Sequence, residues 1–338
     1  MKPLFIFMRN LTVALALLII LALVWAFQKN QDARELSLLV PEPGQYYHGV
    51  YPGGKTGEED DISPEDLNAY VRAAGRNVAW VYFSNNWYSS RAFPLETAQW
   101  IRDAGAVPYI RLMLRSSIET DQSEPLFTLE AIKSGHFDAD LRSWAQAAAS
   151  FKTPIMVEYG TEVNGNWFPW NAKWNGKETG AALFQEAYRH IITLMQEESA
   201  SNLIWGFHID AYDDPQTQWN RLEAYYPGDD YIDFIGISAY GVQSPQDKEW
   251  GSFTEAMNDV MPRLAELAPD KAVYVVEFGS SLHPRLRASD WADEALTNIL
   301  ANRWPAIRGF SWWNETWQND ANPAHDSDFR VQSVPGLS

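Results

Sequence analysis

The sequence predicts a single (β/α)8 TIM barrel preceded by one N-terminal membrane-spanning or signal segment. Three observations carry that prediction. Strand-like and helix-like stretches alternate from about residue 45 to near the end of the 338-residue chain. The strand-like stretches are apolar and rich in β-branched residues, as strands covered on both faces are. The side chains able to do chemistry fall at the carboxyl ends of those stretches, where a parallel barrel keeps its sites.

Taken in order, strands are expected near 45–51, 77–83, 106–112, 153–159, 202–208, 231–238, 272–277 and 306–312. Helical periodicity fills the gaps at 64–74, 95–104, 138–151, 180–198, 218–225, 253–267 and 288–301. Ser63 before Pro64 reads as an N-cap, Gly75 and Gly105 sit where helices end, and Ser289 is placed to cap its own helix. Eight strands with seven helices in about 300 residues fit one barrel better than a doubly wound open sheet. No glycine-rich phosphate loop follows any strand, so no cofactor is expected. After Trp317 the chain is polar, and an eighth helix is not evident.

Residues 11–27 form an apolar run broken only by Thr12, with Lys2 and Arg9 on its amino side. The run is just long enough to span a bilayer and longer than most signal-peptide cores. Val24-Trp25-Ala26-Phe27 offers no small-x-small cleavage site, so an uncleaved signal anchor is expected, or a secreted protein if the segment is cut. On this reading 1–35 is anchor and linker, and 36–338 is a catalytic domain outside the cytoplasm. The absence of Cys is compatible with export. The whole chain carries a net charge of −18. Residues 1–35 hold more cations than anions, so the exported part is more acidic still. That charge argues against nucleic acid as a partner and suits a neutral or cationic ligand.

Two segments concentrate the chemistry. Val157-Glu158-Tyr159-Gly160-Thr161-Glu162-Val163-Asn164-Gly165-Asn166-Trp167 and Val273-Tyr274-Val275-Val276-Glu277-Phe278-Gly279 each bring a carboxylate to a strand end. Trp167, Phe168, Trp170 and Trp174 crowd the first. The chain has 16 Trp, 15 Tyr and 16 Phe, a supply of rings on which sugar C–H faces stack. Two carboxylates facing each other across an aromatic cleft are what glycosidic bond cleavage needs. A lone strand-end Glu would instead be a salt-bridge partner or a cap.

Thr161-Glu162-Val163-Asn164-Gly165-Asn166-Trp167-Phe168-Pro169-Trp170 resembles the acid/base motif of glycoside hydrolase family 26, the β-mannanase family. Tyr225-Tyr226-Pro227-Gly228-Asp229-Asp230-Tyr231-Ile232-Asp233 resembles that family's approach to strand 6, and Glu277-Phe278-Gly279 its nucleophile segment on strand 7. The resemblance implies a retaining β-glycanase acting on a mannan-like or β-glucan-like polysaccharide. Glu162 would be the acid/base and Glu277 the nucleophile. Tyr240 would hydrogen-bond the nucleophile, and Trp312 or Trp313 would form the sugar platform. Two positions depart from the family's mannanases: Thr161 stands where they place His, and Glu158 where they usually place Arg. A carbohydrate-binding pseudoenzyme and a transglycosylase on the same barrel are the alternatives.

Among the remaining candidates, Trp167 is expected to line a sugar subsite, with Asn164, His208 and Arg111 as further substrate-binding residues. In a regular strand Glu158 would share a face with Glu162 but lie about 13 Å deeper. A carboxylate there needs a partner, and Arg111 on the neighbouring strand is the obvious one. His208 beside Asp210, Asp213 and Asp214 matches no metal-ligand spacing, so no metal is expected. The acidic run Glu58-Glu59-Asp60-Asp61 reads as a solvated loop without the glycine and alternating oxygens of a calcium site.

Overall fold

A computed structural model of the chain describes residues 41, 44–334, 336 and 337. Residues 11–27, expected to reach or cross a membrane, lie outside the described residues. No helix among the described residues is long and apolar enough to cross one.

Eight parallel strands close into a barrel in the order β1 to β8. They are β1 (Tyr47–Tyr51), β2 (Trp80–Asn86), β3 (Val107–Met113), β4 (Ile155–Tyr159), β5 (Leu203–Asp210), β6 (Phe234–Tyr240), β7 (Ala272–Gly279) and β8 (Ile307–Trp313). The helices are α1 (Pro64–Ala74), α2 (Leu95–Asp103), α3 (Leu129–Lys133), α4 (Asp138–Phe151), α5 (Gly180–Glu197), α6 (Leu222–Tyr225), α7 (Phe253–Leu267) and α8 (Ala288–Leu300). The ring closes where β1 pairs with β8 from Tyr47 opposite Gly309 to Tyr51 opposite Trp313.

Local chemistry explains the boundaries. Ser63 and Asp66 form a reciprocal capping box at the start of α1, and Gly75 ends it at φ +67. Such a box contributes roughly 1 kcal/mol. At the floor of the barrel Trp80 is fully buried. A Cβ at Gly49 would sit 2.1 Å from its indole, and one at Gly309 2.9 Å from it. These two glycines make room for the ring.

Some expectations are corrected. Residues 218–225 form a 3-10 turn at Gln218–Asn220 and then the single turn α6, not one helix. Thr128 accepts from Ala131 N–H and caps the unforeseen α3. Ser289 lies inside α8, whose N-cap is Arg287. After β8, where no helix is evident in the sequence, the chain forms a two-stranded antiparallel ribbon, β9 (Thr316–Trp317) with β10 (Ser327–Asp328). Phe329 beyond the ribbon is buried. It stacks on Trp317 at 5.0 Å, and its carbonyl accepts from the Trp312 indole at 2.7 Å.

Candidate active site

The strands deliver inward-facing side chains at alternate positions, and the parallel register sets Ser84, Arg111 and Glu158 side by side. β4 ends at Tyr159, and the chain then turns sharply at Gly160, φ +79. A Cβ there would sit 2.3 Å from the Phe184 ring, so glycine is required for space as well as for backbone conformation. Glu162 follows at φ +47, in the left-handed region that a non-glycine residue enters only when its surroundings hold it there. The extended path expected from Glu158 to Glu162 is therefore absent.

The turn lifts Glu162 to face Glu277 at the end of β7. One carboxylate oxygen of each and one ring nitrogen of His208 all lie within 4.8 Å of one another. Glu162 and Glu277 line a cavity of about 430 Å³ whose walls include Arg111, Trp167, Tyr240 and Trp313. Trp167 Nε1–H donates to Glu162 Oε2 at 2.7 Å, and the Tyr240 hydroxyl donates to Glu277 Oε2 at 2.7 Å.

Beneath this pair lies a buried polar network. The Glu158 carboxylate accepts from the hydroxyls of Tyr82 (2.7 Å) and Thr161 (2.7 Å), from Tyr109, and from His208 Nδ1 (2.8 Å). Burial alone would push Glu158 up, but His208 first, then Arg111 and Tyr109, hold it at about 2. Burial works against the His208 imidazolium as well, yet Glu158 keeps its pKa above the ordinary histidine value. The partner of Glu158 is thus His208. The expected Arg111–Glu158 pair does not form, because the long Arg111 side chain reaches past Glu158 towards the mouth. There its Nη1 pairs with Glu59 and its Nη2 lies 3.8 Å from Glu277. The rings of Tyr82, Trp313 and Phe168 surround its guanidinium at 5.5, 5.6 and 5.9 Å.

The two positions that depart from the mannanase pattern belong to this one network. Thr161 donates to Glu158 and accepts from Arg111 Nε at 3.2 Å, so it joins the buried anion to the cation of the cavity wall.

Burial pushes Glu277 up to about 7; Arg111 pulls it down, and neighbouring Glu162 pushes it up again. Asp210, at the end of β5, is likewise raised well above the ordinary carboxylate range by burial and by Glu162. Glu162, His208 and Glu277 stand close enough to share an ion, but His208 has no free ring nitrogen. Nδ1 is bonded to Glu158 and Nε2 to Ser238 Oγ at 2.8 Å.

The structure places the other expected residues differently. Trp313 faces the cavity, whereas Trp312 points into a separate pocket beside His48 and Tyr70. His208 is fully buried below the site. Asn164 is buried as well, and spends its amide on the backbone of Asp210 and Tyr212 and on Asp213, bracing the segment after β5. Trp170 is buried and donates to the Thr161 carbonyl at 2.8 Å, bracing the Glu162 turn.

Sequence reasoning missed Glu59, Asp210, Glu315 and Trp317, all of which line the cavity. The acidic run is no solvated loop. Glu59 lies at φ +65, accepts from Ser84 Oγ at 2.8 Å and pairs with Arg111. Glu315, half a turn beyond β8, is pushed to about 8 by burial and by Glu59. A buried arginine in search of a second carboxylate is the signal that points to Glu59.

The model of glycosyl hydrolase family 26 matches residues 136–322. Endoglucanase H of Acetivibrio thermocellus is 24% identical over 86% of this chain and 30% of its own length. Beta-1,3-xylanase TXYA of a Vibrio species is 22% identical over 61% of this chain and 46% of its own. The chain therefore spans less than half the length of these two relatives. A mannan endo-1,4-beta-mannosidase of Bacillus subtilis is 22% identical over 66% of this chain and 61% of its own. Among solved structures, the Bacillus subtilis mannanase BCman superposes with a TM-score of 0.61 at 18% identity, covering 91% of this chain and 90% of that one. This last likeness speaks for the fold.

Proposed function

The chain belongs to glycosyl hydrolase family 26, and on that premise we propose that it hydrolyses a β-linked polysaccharide by retaining double displacement, with Glu277 as nucleophile and Glu162 as acid/base. The observation that carries this reading is the closeness of the two carboxylates, whose oxygens approach within 4.8 Å. Retaining pairs stand about 5–5.5 Å apart, whereas an inverting pair needs roughly 6.5–9.5 Å to admit its water.

The surroundings support these roles. The Tyr240 hydroxyl donates to Glu277, the Tyr82 hydroxyl stands 3.4 Å away, and Arg111 lies at 3.8 Å. Donors and a cation favour the ionised form. Glu162 receives only the Trp167 indole N–H among the described hydrogen bonds, on Oε2, which leaves Oε1 open to carry the proton that a general acid donates. Glu277 attacks the anomeric carbon while the glycosidic C–O bond breaks and the Glu162 proton passes to the leaving oxygen. Glu162, now a carboxylate, takes a proton from water. That water attacks the anomeric carbon, and the bond to Glu277 breaks. Trp313 and Trp167, which both line the cavity, are suited to stack on the sugars next to the cleaved bond.

The relatives are named for mannan, for β-1,3-xylan and as an endoglucanase. A β-glycan is the shared class. A screen on mannan, mixed-linkage glucan, xylan, cellulose and bacterial exopolysaccharides identifies the sugar. With the substrate found, Glu277→Ala abolishes turnover on every substrate, while Glu162→Ala spares aryl glycosides whose leaving groups need little protonation. Proton NMR of the first product reads the anomer. Inverted product, or a fully active Glu162→Ala protein on unactivated polysaccharide, overturns the assignment.

A further inference from the structure

The groove continues past the catalytic cavity. Trp167, Asp210, Tyr240 and Gln243 also line a second cavity of about 740 Å³, built by the segments that follow β5 and β6. Trp167 gives its direction. Its indole is bonded to Glu162, the proposed proton donor to the leaving oxygen, whereas Arg111, Trp313, Glu315 and Trp317 line the first cavity only. On the glycanase reading, the second cavity receives the leaving-group arm of the polymer.

Its walls expose two aromatic rings, Tyr212 at 40% and Trp250 at 36%. The backbone N–H of Tyr212 donates to Asp210 Oδ1 at 2.8 Å, and the Trp250 ring packs on the His283 ring at 5.0 Å with the Arg285 guanidinium 5.4 Å from its centre. Large rings left open in a polar groove offer the flat faces that sugars stack on.

The charged side chains that line the groove are acidic, and the Arg285 cation stands against the Trp250 ring outside that lining. It contains no Lys, Arg or His, and it contains Asp210, Asp213, Asp214, Asp247 and Glu249. Asp213 is taken by Arg263 at 2.8 Å, and Asp247 by the amides of Gln243 and Ser244 at 2.9 Å each. Asp214 and Glu249 are both exposed, and none of the described hydrogen bonds or ion pairs engages either carboxylate. They flank the two open rings in sequence, Asp214 two residues after Tyr212 and Glu249 next to Trp250. A neutral sugar gains hydroxyl hydrogen bonds from them, an acidic sugar is repelled, and an ammonium gains both a hydrogen bond and an opposite charge.

We propose that this groove binds a polysaccharide bearing free amino groups, with de-N-acetylated hexosamine rings stacked on Tyr212 and Trp250 and their ammonium groups on Asp214 and Glu249. The proposal rests on the glycanase reading for the groove's direction, but its test is a binding measurement that needs no turnover.

Full-length protein in detergent is titrated calorimetrically, at mildly acidic pH and low salt, with a β-1,4-linked glucosamine hexamer, its fully N-acetylated counterpart and a neutral mannohexaose. Two exposed ion pairs lead to an expected preference of about tenfold for the glucosamine hexamer. The preference shrinks at high salt. The double variant Asp214→Asn, Glu249→Gln brings the three ligands to within about twofold of one another. Trp250→Ala weakens all three. Equal binding of the three, no binding of the glucosamine hexamer, or a preference that survives the double variant overturns the proposal. A protein that hydrolyses neutral β-glycans and shows no amine preference refutes this inference alone. A protein that prefers amines yet turns over no glycan refutes the catalytic reading and leaves the groove's assignment standing.

Discussion

Replacing Arg111 with Met removes the cation of the cavity wall while keeping an unbranched side chain among the rings of Tyr82, Phe168 and Trp313. Nη2 of Arg111 lies 3.8 Å from Glu277. A unit charge pair at that distance, in an effective dielectric near 20, is worth roughly 4 kcal/mol. At the solvent-open cavity the effective dielectric is higher, about 40, which brings this to roughly 2 kcal/mol. This corresponds to about 1.5 pH units. Arg111 favours the ionised form of Glu277, so without it that carboxyl, already raised to about 7, ionises only at higher pH. On the proposed mechanism Glu277 attacks as a carboxylate. The acid limb of kcat/KM on unactivated polysaccharide therefore moves upward from near 7 by roughly 1.5 pH units. Arg111→Lys keeps part of the effect and gives an intermediate limb. The profiles of the three proteins are compared after far- and near-UV circular dichroism shows that each is folded. A limb that stays in place, or moves to lower pH, in a folded Met variant refutes the claim that Arg111 acts on Glu277.

His208→Gln leaves Glu158 buried without its charged partner, at an expected cost of about 3 kcal/mol and a fall in Tm of roughly 6–12 °C, read by calorimetry. The pH dependence of that loss has a definite sign. His208 is raised above its usual 6.5, so its contribution is full below 6.5 and fades as pH rises through its folded value. Glu158 is lowered from 4.5 to about 2, so its contribution is full above 4.5 and fades towards 2. The difference in Tm between wild type and His208→Gln is expected to be greatest between 4.5 and 6.5, and a flat difference across pH counts against the ion pair. Gly160→Ala forces a Cβ to within 2.3 Å of the Phe184 ring at φ +79 and is expected to cost about 2–4 kcal/mol; a variant as stable as wild type in urea unfolding contradicts the account of the turn. Full-length protein is expected in the membrane fraction through residues 11–27, and recovery only as shortened soluble protein indicates cleavage instead.

The barrel was legible because its strands are buried on both faces, so apolar β-branched runs mark them plainly, and each predicted strand overlaps an observed one. The two strand-end carboxylates were legible for the same reason. What hid was anything decided by side-chain reach or by a departure from regular backbone. Glu158 was placed deep correctly, but its partner was misassigned because register predicts which Cα atoms are neighbours and not where a long arginine ends. The left-handed turn at Gly160 and Glu162 could not be read from the apolar period. Glu59 is 52 residues from Arg111 in the chain, and four acids in a row look like a solvated face until a buried guanidinium is found beside one of them.

The backbone of Glu162 has an evolutionary consequence. The residue sits in the left-handed region beside another carboxylate, two costs that an Asn in its place would largely remove. A population of variants screened only for heat resistance should therefore drift towards substitution at 162, and so towards sturdy proteins that no longer process substrate. Any effort to harden this enzyme has to select for turnover and endurance in the same step, because at this position the two pull against each other.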